Sequence, residues 1–164
     1  MDASETIDFH IRWLWLKIYR LYNVEASKFG GTISVGYALL NIDKEGTPST
    51  KLGPKMGVEP QSLSRTLKTM EDKGLITRTP SPDDKRMVLI HLTEEGKKFR
   101  DNSRDVVTNL NKYLSDNLTK KEVNSFLTVA AKISALLERP EVQSAIAIEP
   151  IITHTPNSHP HHEQ

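Results

Sequence analysis

Between Pro60 and Lys73, Leu63, Leu67 and Met70 recur at i, i+4 and i+7, and Gln61, Ser62, Ser64, Arg65, Lys68 and Thr69 fall on the remaining surface. An apolar stripe with this period is one buried face of a helix. The opposite face then presents guanidinium, ammonium, amide and hydroxyl groups side by side. Arg and Lys donate to the acceptors of guanine, Gln pairs with adenine, and hydroxyls serve either role, so these side chains suit a helix laid in a DNA major groove. A solvated helix face carries the same residue types, and the face taken alone leaves both readings open. Asp84-Lys85-Arg86 form a second group in a polar turn. A cation at the end of a two-stranded ribbon can reach a minor groove, whose negative potential attracts Arg, and Asp84 is placed to pair with Arg86 and hold its direction. The alternative is a surface turn whose charges keep it soluble, since an exposed ion pair contributes only about 0–1 kcal/mol.

Other chemistry is thinly represented. The chain has no Cys, which removes disulfides, thiolate metal sites and thiol nucleophiles. It also lacks G-x-G-x-x-G, a Walker loop, H-E-x-x-H and G-x-S-x-G, so no catalytic residue, cofactor or metal is assigned and an enzyme is not expected. His154, His159, His161 and His162 lie in a proline-interrupted C-terminal stretch, and an adventitious or empty metal site is the expectation there. His10 and His91 are isolated. His10, Trp13 and Tyr37 would offer aromatic walls and a cation to an anionic apolar ligand where the first helix meets the second. The same aromatics also suit a core or an interface.

The positioning elements follow from periodicity and punctuation. Ile7, Ile11, Leu14, Ile18 and Leu21 make a continuous stripe at alternating steps of four and three, while Phe9, Trp13, Leu16 and Trp15, Tyr19, Tyr22 add two more. Such a helix is apolar around most of its circumference and must be covered on several sides, for which a second copy of the chain is the simplest cover. Gly30-Gly31 ends it, Ile33 to Asp43 forms a shorter helix, and Lys44 to Pro48 are turn formers. A third helix over about Ser49 to Met56 contains Gly53-Pro54 and should be short, kinked or restarted at Pro54. Pro60 suits the first position of the next helix, and Lys73-Gly74 its stop. The period then changes to two over Leu75 to Thr79 and Val88 to Leu92, a hairpin around Pro80 to Arg86. Thr93 caps a long helix through Phe99, Val106, Leu110 and Tyr113, and Thr119-Lys120-Lys121-Glu122 forms the capping box of another that continues through Leu137 to a stop at Pro140.

The fold class is therefore mostly α with a small β-hairpin wing: a winged helix-turn-helix over residues 33–96, long terminal helices at 7–30 and 97–138 for dimerisation, a single domain over 1–140, and a partly ordered tail at 141–164. Lys51 to Arg104 holds 12 of the 22 basic residues but only 8 of the 21 acidic ones, so positive charge gathers on the part that carries the candidate readers. The acidic start and short apolar runs suggest neither export nor a membrane span, and a cytoplasmic protein is expected.

The run MGVEPQSLSRTLKTMEDKGLI from Met56 to Ile76, SPDDKR from Ser81 to Arg86, and LTEEG from Leu92 to Gly96 resemble the MarR family of bacterial transcription regulators. The resemblance is densest over about Ser49 to Gly96 and extends in outline from Ile7 to Leu137. It implies a homodimer with interlocking first and last helices, a recognition helix from Pro60 to Lys73, and a wing whose Asp-x-Arg falls on Asp84 and Arg86. It further implies repression at a pseudo-palindromic operator, relieved by a small aromatic or anionic effector. Two positions depart from the pattern. Glu59 stands where Ser, Thr or Asp is common, and Gly53-Pro54 interrupts the bracing helix, leaving only Ser49, Thr50 and Lys55 as weak phosphate contacts there. The rival from another class is a dimeric winged-helix protein-interaction module that binds no DNA; the polar and basic residues of the reading face argue against it.

Overall fold

The computed structural model describes residues 2–148. The chain divides into two compact units, Met1–Leu114 and Ser115–Gln164. The first holds helices α1 (Ile7–Lys28), α2 (Ile33–Leu40), α3 (Ser49–Met56) and α4 (Pro60–Asp72), strands β1 (Thr47–Pro48), β2 (Ile76–Pro80) and β3 (Val88–Leu92), and most of α5 (Glu94–Asn117). The second holds α6 (Lys120–Leu137) and α7 (Glu141–Ile146).

The core lies within the helix-turn-helix and its wing. Val35, Ala38, Leu39 and Ile42 from the α2 segment, Leu52 and Met56 from α3, and Leu63, Leu67 and Met70 from α4 pack with Leu75, Ile76, Ile90 and Phe99. The i, i+4, i+7 stripe of α4 is thus the face that buries. By contrast, α1 buries none of its residues. Trp15 remains 55% and Leu21 54% exposed, so one chain by itself leaves the apolar stripes of this helix uncovered.

The helix ends follow local chemistry. At the end of α4, Gly74 N–H donates to Glu71 O and Leu75 N–H to Met70 O, with Gly74 at φ 66°. This bond pair requires a left-handed residue, and it drops Leu75 and Ile76 into the core. Gly57 ends α3 in the same way at φ 62°. Thr119 and Glu122 form the reciprocal capping box of α6, and the Glu122 carboxyl is held below its ordinary range by the Thr119 hydroxyl and amide.

Helix α3 is short, one of the expected outcomes, and runs unbroken through eight residues with Pro54 inside. Gly53 explains this in part, because a residue without Cβ relieves the clash that keeps the position before proline out of the helical region. Residues 47–48, expected as turn formers only, are strand β1, with Thr47 opposite Ile90 and Pro48 opposite Leu89. The hairpin is therefore part of a three-stranded antiparallel sheet in the order β1-β3-β2. Helix α7 occupies the first residues of the segment expected as a partly ordered tail; His154, His159, His161 and His162 lie outside the described residues.

Candidate nucleic-acid interface

Two anchors hold α4 at its C-terminal end. Its C-cap residue, Lys73, donates through Nζ to the Gly30 carbonyl, tying it to the end of α1. Glu71 receives Arg78 Nε at 3.0 Å, joining it to β2. With the Leu63, Leu67 and Met70 face buried, Gln61, Ser62, Ser64, Arg65, Lys68 and Thr69 are all exposed. The Ser64 hydroxyl donates to Pro60 O at 2.9 Å and that of Thr69 to Arg65 O at 3.1 Å, so each turns acceptor lone pairs outward. Lys68 and Asp72 stand 3.7 Å apart on the exposed surface, a pair that solvent weakens to little. Among the described residues, no hydrogen bond or ion pair occupies the side chains of Gln61 and Arg65, which are the two best suited to bidentate base contacts.

The wing tip is ordered by its own backbone. Ser81, which is buried, donates its N–H to Met87 O, and Met87 N–H closes a tight turn onto Asp84 O at 2.9 Å. Asp84 acts on Arg86, but through the main chain: its Oδ1 accepts the Arg86 N–H at 2.9 Å. The expected side-chain pairing is replaced by an Asx-type bond two residues on, the local closure that Asp favours in turns. Arg86 and Lys85 consequently project as exposed cations from a fixed turn.

The bracing elements contain a polar knot that single-residue reasoning missed. Asp43 Oδ2 accepts Lys55 Nζ at 2.8 Å and the Thr47 hydroxyl at 3.1 Å, while Thr47 Oγ1 accepts the Asp43 N–H at 2.8 Å. Lys55, expected as a weak phosphate contact, is thus paired with Asp43 on the exposed surface. The Asp43 carboxyl is held below its usual range first by the Lys55 hydrogen bond, then by Thr47 and by the Lys55 charge. Thr93 does more than cap α5 through Gly96 N–H: its hydroxyl also donates to Gly74 O at 2.7 Å, clamping the start of β2. His91 Nε2 meets Thr79 Oγ1 at 3.1 Å across the hairpin.

The three effector candidates are not brought together. His10 and Trp13 lie on α1 and each contacts the Phe9 ring, with centroids 5.6 and 6.0 Å away. Tyr37 is exposed on α2, where its carbonyl accepts from Asn41. A shallow groove of about 430 Å³ is lined by Arg12, Trp13, Trp15, Leu16 and Tyr19, all from α1. Of the candidates only Trp13 lines it, and its cation is Arg12, one helical turn before Trp15 and Leu16. Among the described residues no three His, Asp or Glu side chains converge as metal ligands.

A bracing helix, a second helix with an unpartnered polar and basic face, and an antiparallel wing ending in exposed cations define a winged helix-turn-helix protein. Residues 39–88 match the model of the MarR family. An HTH-type transcriptional regulator of Bacillus subtilis is 25% identical over 128 residues, spanning 77% of this chain and 83% of the relative. Over residues 39–88 the chain is similar to the MarR family. A mutant MarR from E. coli, complexed with operator DNA, superposes with a TM-score of 0.67 at 29% identity, covering 75% of this chain and 89% of that one. CouR from Rhodococcus jostii RHA1, bound to p-coumaroyl-CoA, superposes with a TM-score of 0.72 over 81% of this chain and 94% of that one; at 23% identity its likeness bears on the fold. Among the described residues no helix is long and apolar enough to cross a membrane.

Proposed function

We propose that the protein is a sequence-specific double-stranded-DNA-binding transcription regulator, a homodimeric repressor released by a small anionic or aromatic effector. The observation that carries this reading is the α4 surface: Gln61 and Arg65 are anchored by a buried stripe beneath them yet unpartnered above it. Arg65 is assigned to guanine, Gln61 to adenine, Ser62, Ser64, Lys68 and Thr69 to bases or phosphates, and Lys85 and Arg86, held by Asp84, to the minor groove and its backbone. The domain reading stays as the sequence suggested, with the DNA-binding part at 33–96 and dimerisation segments at 7–30 and 97–138. The uncovered apolar surface of α1, and separately that of α6 with Phe126 and Leu127 exposed, support a second copy as the cover. Support for the effector class comes from CouR, a relative by fold that holds an aromatic acyl thioester. His10, Trp13 and Tyr37 remain candidates for that role, with the Arg12 groove beside Trp13. We read the protein as a binding protein rather than an enzyme, at work in the cytoplasm.

A two-fold dimer places its reading helices in half-sites about one turn, roughly 34 Å, apart. The test is an anisotropy titration of the protein against the DNA upstream of its own coding sequence and a scrambled duplex of equal length, at two salt concentrations. The expected result is two chains per duplex, at least about a hundredfold preference for the native sequence, and a log–log salt slope of roughly −5 to −9. Arg65→Ala should lose discrimination together with affinity, whereas Arg86→Ala should lose affinity on all sequences alike. Equal weak binding of both duplexes would favour the interaction-module reading.

A further inference from the structure

The residue that opens the reading helix is acidic. Glu59 holds the N-cap position of α4 with φ −64° and ψ 147°, yet its side chain makes no capping bond. It is exposed and, among the described residues, its carboxylate has no hydrogen-bond or ion-pair partner; only its carbonyl is used, accepting Leu63 N–H at 3.0 Å. Capping therefore does not account for the carboxylate. Its position does carry a consequence, because the N-terminal residues of a recognition helix are those that meet base edges. There a carboxylate is repelled by phosphates and by the exposed acceptors of guanine, thymine and adenine N7. Cytosine alone offers an amino donor in the major groove with no acceptor beside it.

We infer that Glu59 is a specificity-determining residue that selects a cytosine in each half-site by accepting from its N4 amino group and disfavours every other base there. This rests on the DNA-binding reading above. Glu59 lies six residues before Arg65, about 9 Å along the helix axis, so the two meet different base pairs and the carboxylate does not cancel the guanidinium. Repulsive elements of this kind raise discrimination while lowering affinity for wrong sequences.

The experiment is selection from a pool of randomised duplexes with the parent protein and with Glu59→Gln, sequencing the bound fractions and recording each protein's thermal midpoint. The parent should enrich paired half-sites containing one cytosine column, preferred at least about fivefold over the other bases. In Glu59→Gln that column alone should flatten or move to adenine, which a Gln amide can pair with, while the guanine column read by Arg65 and the thermal midpoint stay unchanged. Binding of the variant to scrambled duplex should tighten about threefold or more as the repulsion goes. A parent that enriches no sequence overturns the DNA-binding reading and this inference with it. A parent that enriches half-sites, beside a variant whose half-sites are superposable on them or altered at every column, overturns the Glu59 assignment alone.

Discussion

Gly96→Ala tests how the wing is fixed to the long helix that follows it. Gly96 sits buried in the first turn of α5, and a Cβ there would lie 1.9 Å from the Leu75 carbonyl oxygen. That carbonyl has no freedom to retreat. It accepts the Thr93 N–H at 3.1 Å, Leu75 N–H is held by Met70 O at 2.8 Å, and the neighbouring Gly74 carbonyl takes the Thr93 hydroxyl at 2.7 Å. Relief requires α5 to lift from the start of β2 by more than an ångström, which releases both Thr93 bonds at about 1 kcal/mol each. Residual overpacking adds about 1–3 kcal/mol, and the better helix propensity of Ala returns about 1 kcal/mol. The expected net destabilisation is about 2–4 kcal/mol. Urea unfolding at a fixed protein concentration, needed because subunit association shifts the midpoint, should show a lower midpoint at unchanged slope. Gly36→Ala is the internal control: its Cβ would meet the Ser103 hydroxyl at 3.0 Å, a side chain that can rotate away, and the loss should stay below about 1 kcal/mol. A Gly96→Ala variant within about 0.5 kcal/mol of the parent, or a larger loss at Gly36, would refute the argument.

Two further outcomes follow from polar contacts near the interface. Asp84→Ala removes the acceptor of the Arg86 N–H and loosens the turn that aims the wing cation, so operator affinity should fall about three- to tenfold while the unfolding midpoint is unchanged; anisotropy and thermal melts on one preparation check both. The Asp43 carboxyl is held low by Lys55 and Thr47 in the folded chain, so its stabilising contribution is present above the ordinary carboxylate range and is lost as pH falls through the lowered folded value. The stability gap between the parent and Asp43→Asn, measured by urea unfolding, should therefore be widest near neutral pH and close progressively below about pH 4. A gap that stays constant down to acid pH would place the Asp43 effect in shape rather than charge.

The legible parts of the molecule were those governed by neighbours a few residues apart. The α4 stripe at Leu63, Leu67 and Met70, its stop at Gly74, the capping box at Thr119 and Glu122, and the change to period two after Leu75 all arise from contacts within one or two turns of chain. They are therefore written in local residue order. For the same reason the residues on the exposed face of α4 and at the wing tip could be named without a structure. The sequence also shows that α1 is too apolar to stand in water, a property of composition and period alone.

What only the tertiary structure decided is what each polar or small residue meets across the fold. Thr47-Pro48 reads as a turn until β3 supplies its partners, because a two-residue strand has no period of its own. Lys55 is as available to phosphate as to carboxylate in sequence; folding brings it to Asp43, twelve positions away. Lys73 finds a carbonyl 43 residues distant, and Gly96 is required by a Leu75 oxygen on another element. Each of these pairings depends on where a rigid element directs a side chain in space, and residue spacing carries no record of a direction set by packing elsewhere. Hence the exposed polar face of α4 could be read from the chain, whereas the contacts that hold it against the wing, and the unused carboxylate of Glu59, required the fold.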